Sequence, residues 1–285
     1  MEIKKVSVVG SGTMGTQIAM QTAISGYDVR CYSRPAEDLK KAEEFSDAWF
    51  SKGVAKGKMS ADEAAAAKGR LSFVPDVAEA MKDADLVIEA VSDVVEVKRS
   101  VLAEIDPLTP DHTIFASNSS YIVSSRFADV VKNPEKVINM HFFNPALVMK
   151  LVEVVHGPHC SQDTVDTMVK FVESIKKVPA LVKKEIYGFI VNRIFSAMTK
   201  EACYLYDQGV ASVEDIDKAV KLGLNHPMGP LELLDLTGID LEYDVLIELY
   251  RTTGDPADKP SPALVELYAK GHFGRKTKKG FYEYE

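Results

Sequence analysis

Over roughly the first 185 positions, short β-branched runs alternate with longer stretches whose apolar residues recur every three or four places. The short runs are KVSVVG, DVRCYS, LSFV, DLVIEA, TIFASN and KVINMHF. Each is too short for a stable helix and is bounded by turn-forming residues, so each predicts a strand. Strands separated by helical patterns imply a parallel sheet covered by helices. MKLVEVV and VPALVKK flank a helical pattern around DTVDTMVKFVESI and are expected to extend that sheet. From Gly188 the pattern changes. GFIVNRIFSAMTKEACYLYDQG has helical spacing and ends at Gly209, a predicted helix C-cap. SVEDIDKAVKLGL opens with Ser212 followed three residues later by Asp215, a capping pattern. The remainder predicts further helix, with the terminal GFYEY as its one strand. The division expected is residues 1–186 and residues 187–285.

The first strand runs directly into Gly10, Ser11, Gly12, Thr13, Met14 and Gly15, at the start of a helical pattern. Glycines spaced this way let the chain turn tightly and approach a pyrophosphate, whose charge is favoured at a helix N-terminus. The fold class expected is therefore α/β: a Rossmann-type, doubly wound, mainly parallel sheet followed by an all-helical C-terminal domain. A carboxylate usually ends the second strand where the cofactor is NAD, because it accepts the ribose hydroxyls. Here the strand ends in Ser33 and Arg34, and a guanidinium suits a 2′-phosphate. NADP is the expected preference, with NAD as the alternative if Arg34 is a solvated loop residue.

Composition narrows the partners. A net charge of -8 on 285 residues argues against nucleic acid, which needs a broad Lys/Arg face. No apolar run is long enough to cross a bilayer. With a strand predicted almost from the start of MEIKKVSVVG, no signal peptide is expected. Cys31, Cys160 and Cys203 are odd in number and scattered, as in a reducing compartment, so a cytoplasmic location is expected. His156, His159 and Cys160 in HGPHC lack a second cluster of ligands and are read as a polar turn, with no metal site.

His141 and the ASNSSY group (Asn118, Ser119, Ser120) fall at predicted carboxyl ends of strands, the edge where open α/β sheets place ligands. Glu153 lies twelve positions beyond His141 between Leu151, Val152, Val154 and Val155. A buried carboxylate needs a partner, and an imidazole N–H is a suitable one. Such a pair fixes the tautomer and leaves the second nitrogen to exchange a proton with a substrate hydroxyl.

With these residues in view, the sequence resembles the L-3-hydroxyacyl-CoA dehydrogenases, particularly the short bacterial 3-hydroxybutyryl-CoA dehydrogenases. The resemblance covers GSGTMG, DLVIEAV, SNSS, MHFFNPALVMKLVEVV, GFIVNRI, SVEDIDKAVKLGLNHPMGPLELLD and GRKTKKGFYEYE. It implies oxidation of a (3S)-3-hydroxyacyl-CoA to the 3-oxoacyl-CoA. The catalytic pair would be His141 and Glu153, with Ser120 and Asn192 contacting substrate. Cofactor contacts would come from the glycine loop, Asp93, Lys98, Asn118, Ser120, Asn144 and Lys276. Lys52 and Lys56, in a helical arm over about residues 36–70, would bind CoA phosphates; a solvated helix end is the other reading of those lysines. The resemblance also implies a homodimer through the C-terminal domain. The sequence departs from the family at Ser33, at Asp93 where Glu is common, at Tyr121 after the substrate serine, and at Tyr187 where Pro usually precedes GF. Two rival functions are a dehydrogenase of a non-CoA hydroxy acid, resembling the gulonate branch, and a non-catalytic nucleotide-binding protein.

Overall fold

The computed structural model describes residues 1–285, the side chain of Thr252 excepted. The chain divides into two compact units, Met1–Ile190 and Val191–Glu285.

The first unit alternates as its sequence pattern predicts. In order it contains β1 (Lys5–Val9), α1 (Thr13–Ile24), β2 (Asp28–Tyr32), α2 (Ala36–Ala55), α3 (Ala61–Arg70), β3 (Leu71–Val74), α4 (Val77–Met81) and β4 (Leu86–Glu89). It continues with α5 (Val95–Ile105), β5 (Ile114–Ser117), β6 (Val137–Phe142), β7 (Leu151–Val155), α6 (Gln162–Ser174) and β8 (Val178–Val182). The strands form one eight-stranded sheet in the order β3-β2-β1-β4-β5-β6-β7-β8. β1 to β6 pair parallel with their neighbours, whereas β7 runs antiparallel to β6 and parallel to β8. The order reverses between β1 and β4, so the carboxyl ends of those strands diverge into a crevice.

Both faces of the sheet are covered. Ile18, Ala19, Met168, Phe171 and Val172 of α1 and α6 pack with Val6, Val8, Ile88 and Met140. On the other face Met81, Leu102 and Ile105 of α4 and α5 meet Val9, Val87 and Phe115. Strands covered on both faces are buried at every position rather than at alternate ones, as in LVIE and VINM. α2 and α3 close a smaller cluster in which Phe50, Ala64 and Ala67 meet Met20 of α1. Ser60 caps α3 through a complete capping box with Glu63.

At the opposite, amino edge of the strands, Asp83 pairs with Arg30 of β2 and with Lys5 of β1 at 2.5 Å. The Arg30 hydrogen bond, with Lys5 assisting, holds the Asp83 carboxyl at about 2, below its ordinary 3.8. A depressed carboxylate contributes stability that is present above pH 3.8 and lost as pH falls towards about 2. Asp83→Asn should therefore cost about 1 kcal/mol at neutral pH, since solvent screens a pair that is only partly buried. The gap between variant and wild type in urea unfolding should close near pH 2; a gap independent of pH would contradict this.

The second unit is helical: α7 (Val191–Asp207), α8 (Val213–Gly223), α9 (Pro230–Thr237), α10 (Ile239–Thr253) and α11 (Pro262–Ala269). α7 starts at Val191, after Phe189 in a left-handed conformation (φ 50°), and the turn at its end uses Gly209 (φ 65°). Ser212 caps α8 by accepting from the Asp215 N–H, as its spacing suggests. Cys203, Leu231, Leu234, Ile239 and Leu246 form its core.

The expected terminal strand is not formed. The segment Gly274–Glu283 makes only isolated bridges, Gly274 with Lys279 and Lys279 with Glu283. Two of its backbone donors go to a side chain instead: buried Asp235 of α9 accepts from the N–H groups of Phe281 and Tyr282, and also from the Tyr284 hydroxyl, each at 2.9 Å. Asp217 of α8 likewise accepts from the Leu231 and Glu232 N–H groups at the start of α9 and from the Tyr282 hydroxyl at 2.8 Å. Burial pushes the Asp235 carboxyl up from its ordinary value, an effect opposed by these three donors.

Candidate active site at the carboxyl edge of the sheet

The loop after β1 is built for close backbone approach. Gly10 has φ 105°, and a Cβ there would lie 2.6 Å from the Ala90 carbonyl oxygen; one on Gly15 would lie 1.8 Å from the Gly10 carbonyl oxygen. Neither position can carry a side chain without moving backbone. A Cβ on Gly12 would meet nothing. Gly12 caps α1 without a side-chain partner, and the first turn of α1 has no acidic residue. The loop thus presents N–H groups and helix-dipole charge to open space. Ser11 Oγ, beside them, is buried without a hydrogen-bond partner among the described residues. An orphaned hydroxyl, a side-chain-free cradle and an uncapped helix start fit a dinucleotide pyrophosphate.

Next to this loop a pocket is lined by Gly10, Tyr32, Ser33, Arg34, Val91, Val97, Val101 and Glu104. Its apolar walls and polar rim suit an adenosine. Arg34, expected to be available to a 2′-phosphate, pairs here with Glu104 of α5.

His141 and Glu153 face each other as register partners across β6 and β7. Antiparallel pairing puts two such side chains on one face, with Cβ atoms within about 5.5 Å. His141 Nδ1 lies 2.9 Å from Glu153 Oε2, and the two side chains are 5% and 0% exposed. A carboxylate only accepts, so Nδ1 is the donor and Nε2 carries the lone pair. Glu153 Oε1 accepts from the Ile190 N–H at 3.0 Å. Phe143 and Phe189 pack on the imidazole at 4.4 and 5.6 Å between ring centroids. The antiparallel β7 is what lets Glu153 reach the ring, a reversal that an apolar run does not announce.

Beside His141, Asn118 follows β5 and accepts from the Phe142 N–H at 2.9 Å. Asp93 receives the Ser119 hydroxyl at 2.6 Å and the Ser120 N–H at 3.2 Å, so it sets the backbone that carries Ser120. Lys98 is 1% exposed, with Nζ 3.0 Å from both oxygens of Glu89 and 3.3 Å from Asp93. Glu89 also accepts from the Ser117 hydroxyl at 2.6 Å and the Val91 N–H at 2.8 Å. In this buried network Lys98, expected as a cofactor contact, is instead the counter-charge of Glu89; Glu89 and Ser117 are the members the sequence pattern does not mark for that pairing, although an acid ending the apolar run LVIE is a usable signal.

Asn144 is exposed in the loop after β6. Buried Lys177 pins that loop, donating from Nζ to the Ala146 and Met149 carbonyls at 2.6 and 2.8 Å; burial lowers its pKa. Lys52 and Lys56 stand exposed at the end of α2 with no ion pair among the described residues. Asn192 belongs to the first turn of α7 in the second unit, and Lys276, in the same unit, pairs with Asp240. His156 and His159 spend Nε2 on the carbonyls of Cys160 and Val137, and among the described residues no group of acids, histidines and cysteines could hold a metal. Also among the described residues, no helix is long and apolar enough to cross a membrane.

Comparison with known proteins gives two family-model matches: residues 5–186 match the 3-hydroxyacyl-CoA dehydrogenase NAD binding domain, and residues 188–284 match the 3-hydroxyacyl-CoA dehydrogenase C-terminal domain. A 3-hydroxybutyryl-CoA dehydrogenase of Clostridioides difficile is 42% identical over 280 residues, covering 98% of this chain and 99% of its own. The human mitochondrial hydroxyacyl-coenzyme A dehydrogenase is 37% identical, covering 99% of this chain and 92% of its own. The crystal structure of an (S)-3-hydroxybutyryl-CoA dehydrogenase from Ralstonia eutropha superposes with a TM-score of 0.94 at 35% identity, with both chains fully covered.

Proposed function

The chain belongs to the 3-hydroxyacyl-CoA dehydrogenase family, matched across both of its compact units, and from that premise we propose that it reversibly oxidises (3S)-3-hydroxybutyryl-CoA to acetoacetyl-CoA with a nicotinamide cofactor. It is an oxidoreductase acting on a CH–OH group. The observation that carries this reading is the buried His141–Glu153 pair, 2.9 Å apart, on the sheet edge that also bears the glycine loop.

When bound, the nicotinamide supplies or accepts the hydride. The protein's share is the proton and the geometry. With Nδ1 committed to Glu153, His141 Nε2 takes the proton of the 3-hydroxyl in oxidation and returns it in reduction. Glu153 keeps the tautomer and opposes the charge that the ring acquires. Ser120, on backbone fixed by Asp93, and Asn192 hydrogen-bond substrate oxygens and hold the reacting carbon in place. Phe143 and Phe189 limit water around the imidazole. The glycine loop would receive the pyrophosphate, and Asp93, Asn118, Asn144 and Lys276 would be the contacts to the ribose and nicotinamide. Lys98 acts from beneath, through Glu89 and Asp93, rather than as an exposed contact. NADP is the preferred form, because Ser33 offers the ribose no carboxylate and Arg34 stands on the adenosine pocket's rim. Lys52 and Lys56 receive the phosphates of CoA. Residues 1–186 are the dinucleotide-binding domain, residues 187–285 the substrate and dimerisation domain of a homodimer, and the protein works in the cytoplasm.

Nicotinamide absorbance followed with acetoacetyl-CoA and each reduced cofactor in parallel tests the proposal. Rapid oxidation of the cofactor with acetoacetyl-CoA, and none of its reduction with a free sugar acid such as gulonate, is expected. Turnover of the sugar acid alone would assign the chain to the non-CoA reading, and turnover of neither would favour a non-catalytic nucleotide-binding protein.

A further inference from the structure

We propose that Glu104 is a cofactor-selecting residue: it competes with the 2′-phosphate of NADP(H) for the guanidinium of Arg34. The proposal rests on the reading of this edge as a nicotinamide dinucleotide site and adds a specificity determinant from outside the second strand.

Arg34 is the second residue after β2, Glu104 is the penultimate residue of α5, and both line the same pocket. The apolar Val97 and Val101 line it as well. The guanidinium donates to Glu104 Oε2 across this opening, 70 positions away in sequence. Ser33 has no charge, so the rim carries one cation from β2 and one anion from α5, and each is the other's partner. The remaining acids near this corner, Glu37 and Asp38 on the first turn of α2, are themselves engaged by Lys41. Glu104 is thus the acid in contact with Arg34.

The Arg34 and Glu104 side chains are 62% and 38% exposed. An ion pair this wet contributes little to holding the fold together and can be exchanged for another anion. A phosphate dianion is the stronger and geometrically better acceptor for a guanidinium, which can bind it bidentately. Taking it, however, displaces Glu104 and leaves that carboxylate facing the phosphate well within the screening length of physiological salt. NAD(H), with a 2′-hydroxyl there, leaves the ion pair intact. The pair therefore acts as a rheostat: Arg34 admits the 2′-phosphate, and Glu104 limits how tightly it is held.

Fluorescence titration of NADPH and of NADH into the wild type, Glu104→Gln, Arg34→Ala and the double variant tests this without requiring turnover. Glu104→Gln should tighten NADPH about tenfold while moving the NADH Kd by less than about twofold, as removal of a like charge from an exposed site allows. Arg34→Ala should weaken NADPH selectively, and most of the gain from Glu104→Gln should vanish in the double variant. Equal changes for both nucleotides, or an unchanged NADPH Kd in Glu104→Gln, would overturn the proposal. Failure of the wild type to bind either nucleotide would overturn the dinucleotide reading itself, and the selector with it.

Discussion

Glu153→Gln is expected to lower kcat for acetoacetyl-CoA reduction by about three to four orders of magnitude while leaving nucleotide affinity within about twofold. The reason lies in what the carboxylate accepts. Among its partners, Glu153 accepts from His141 Nδ1 at Oε2 and from the Ile190 N–H at Oε1. A glutamine has one acceptor and one NH2. If its oxygen stays on Ile190, the NH2 donates to Nδ1, the imidazole adopts the opposite tautomer, and Nε2 carries a hydrogen where the base's lone pair should be. If the oxygen stays on His141, the NH2 faces the Ile190 N–H and two donors are buried against each other. Either arrangement disables the relay without altering its volume. Near-normal turnover would make Glu153 a structural residue only.

Lys98→Met is expected to destabilise the first unit by about 3–5 kcal/mol, because it leaves the Glu89 carboxylate buried without its counter-charge. Glu89 and Lys98 are both 1% exposed, and each Glu89 oxygen lies 3.0 Å from the ammonium. The Ser117 hydroxyl and the Val91 N–H remain on the carboxylate but carry no charge. The double variant Glu89→Gln, Lys98→Met should recover part of the loss, since both charges then leave together. Urea unfolding measures it. Additive losses, or a single-variant loss below about 1 kcal/mol, would mean that the pair is not electrostatically coupled. Because Lys98 also touches Asp93, which holds Ser119 and Ser120, the same variant should loosen the loop that presents Ser120.

The residues that were legible in the sequence share one property: their local pattern states their environment. The eight runs of the first unit read as strands are strands, and β1 to β6 form the parallel part of the sheet, because apolar β-branched segments between amphipathic helices have few other ways to be buried. His141 and Glu153 could be paired because each is polar inside an apolar run, and both had to be buried. The direction of β7 was not legible, since a run such as LVEVV suits either orientation. The pairing of Glu89 with Lys98 is not legible because it crosses a loop from strand to helix, between residues nine positions apart. Arg34 looked available because Glu104, 70 positions on, is brought opposite it only by the fold. GFYEY reads as a strand by propensity, but Asp235 claims the N–H groups that a ladder would have used. Propensity gives way wherever a buried carboxylate offers the backbone a better acceptor.

The central claim is that His141 and Glu153 work as one unit, and a double-mutant cycle on kcat for acetoacetyl-CoA reduction tests it directly. In His141→Ala, Glu153→Gln and the double variant, with NADPH and NADH Kd measured for each, the double variant should lose no more turnover than His141→Ala alone, because a partner has nothing left to act on once the imidazole is gone. Losses that multiply in the double variant, or near-wild-type turnover in either single variant, would contradict it.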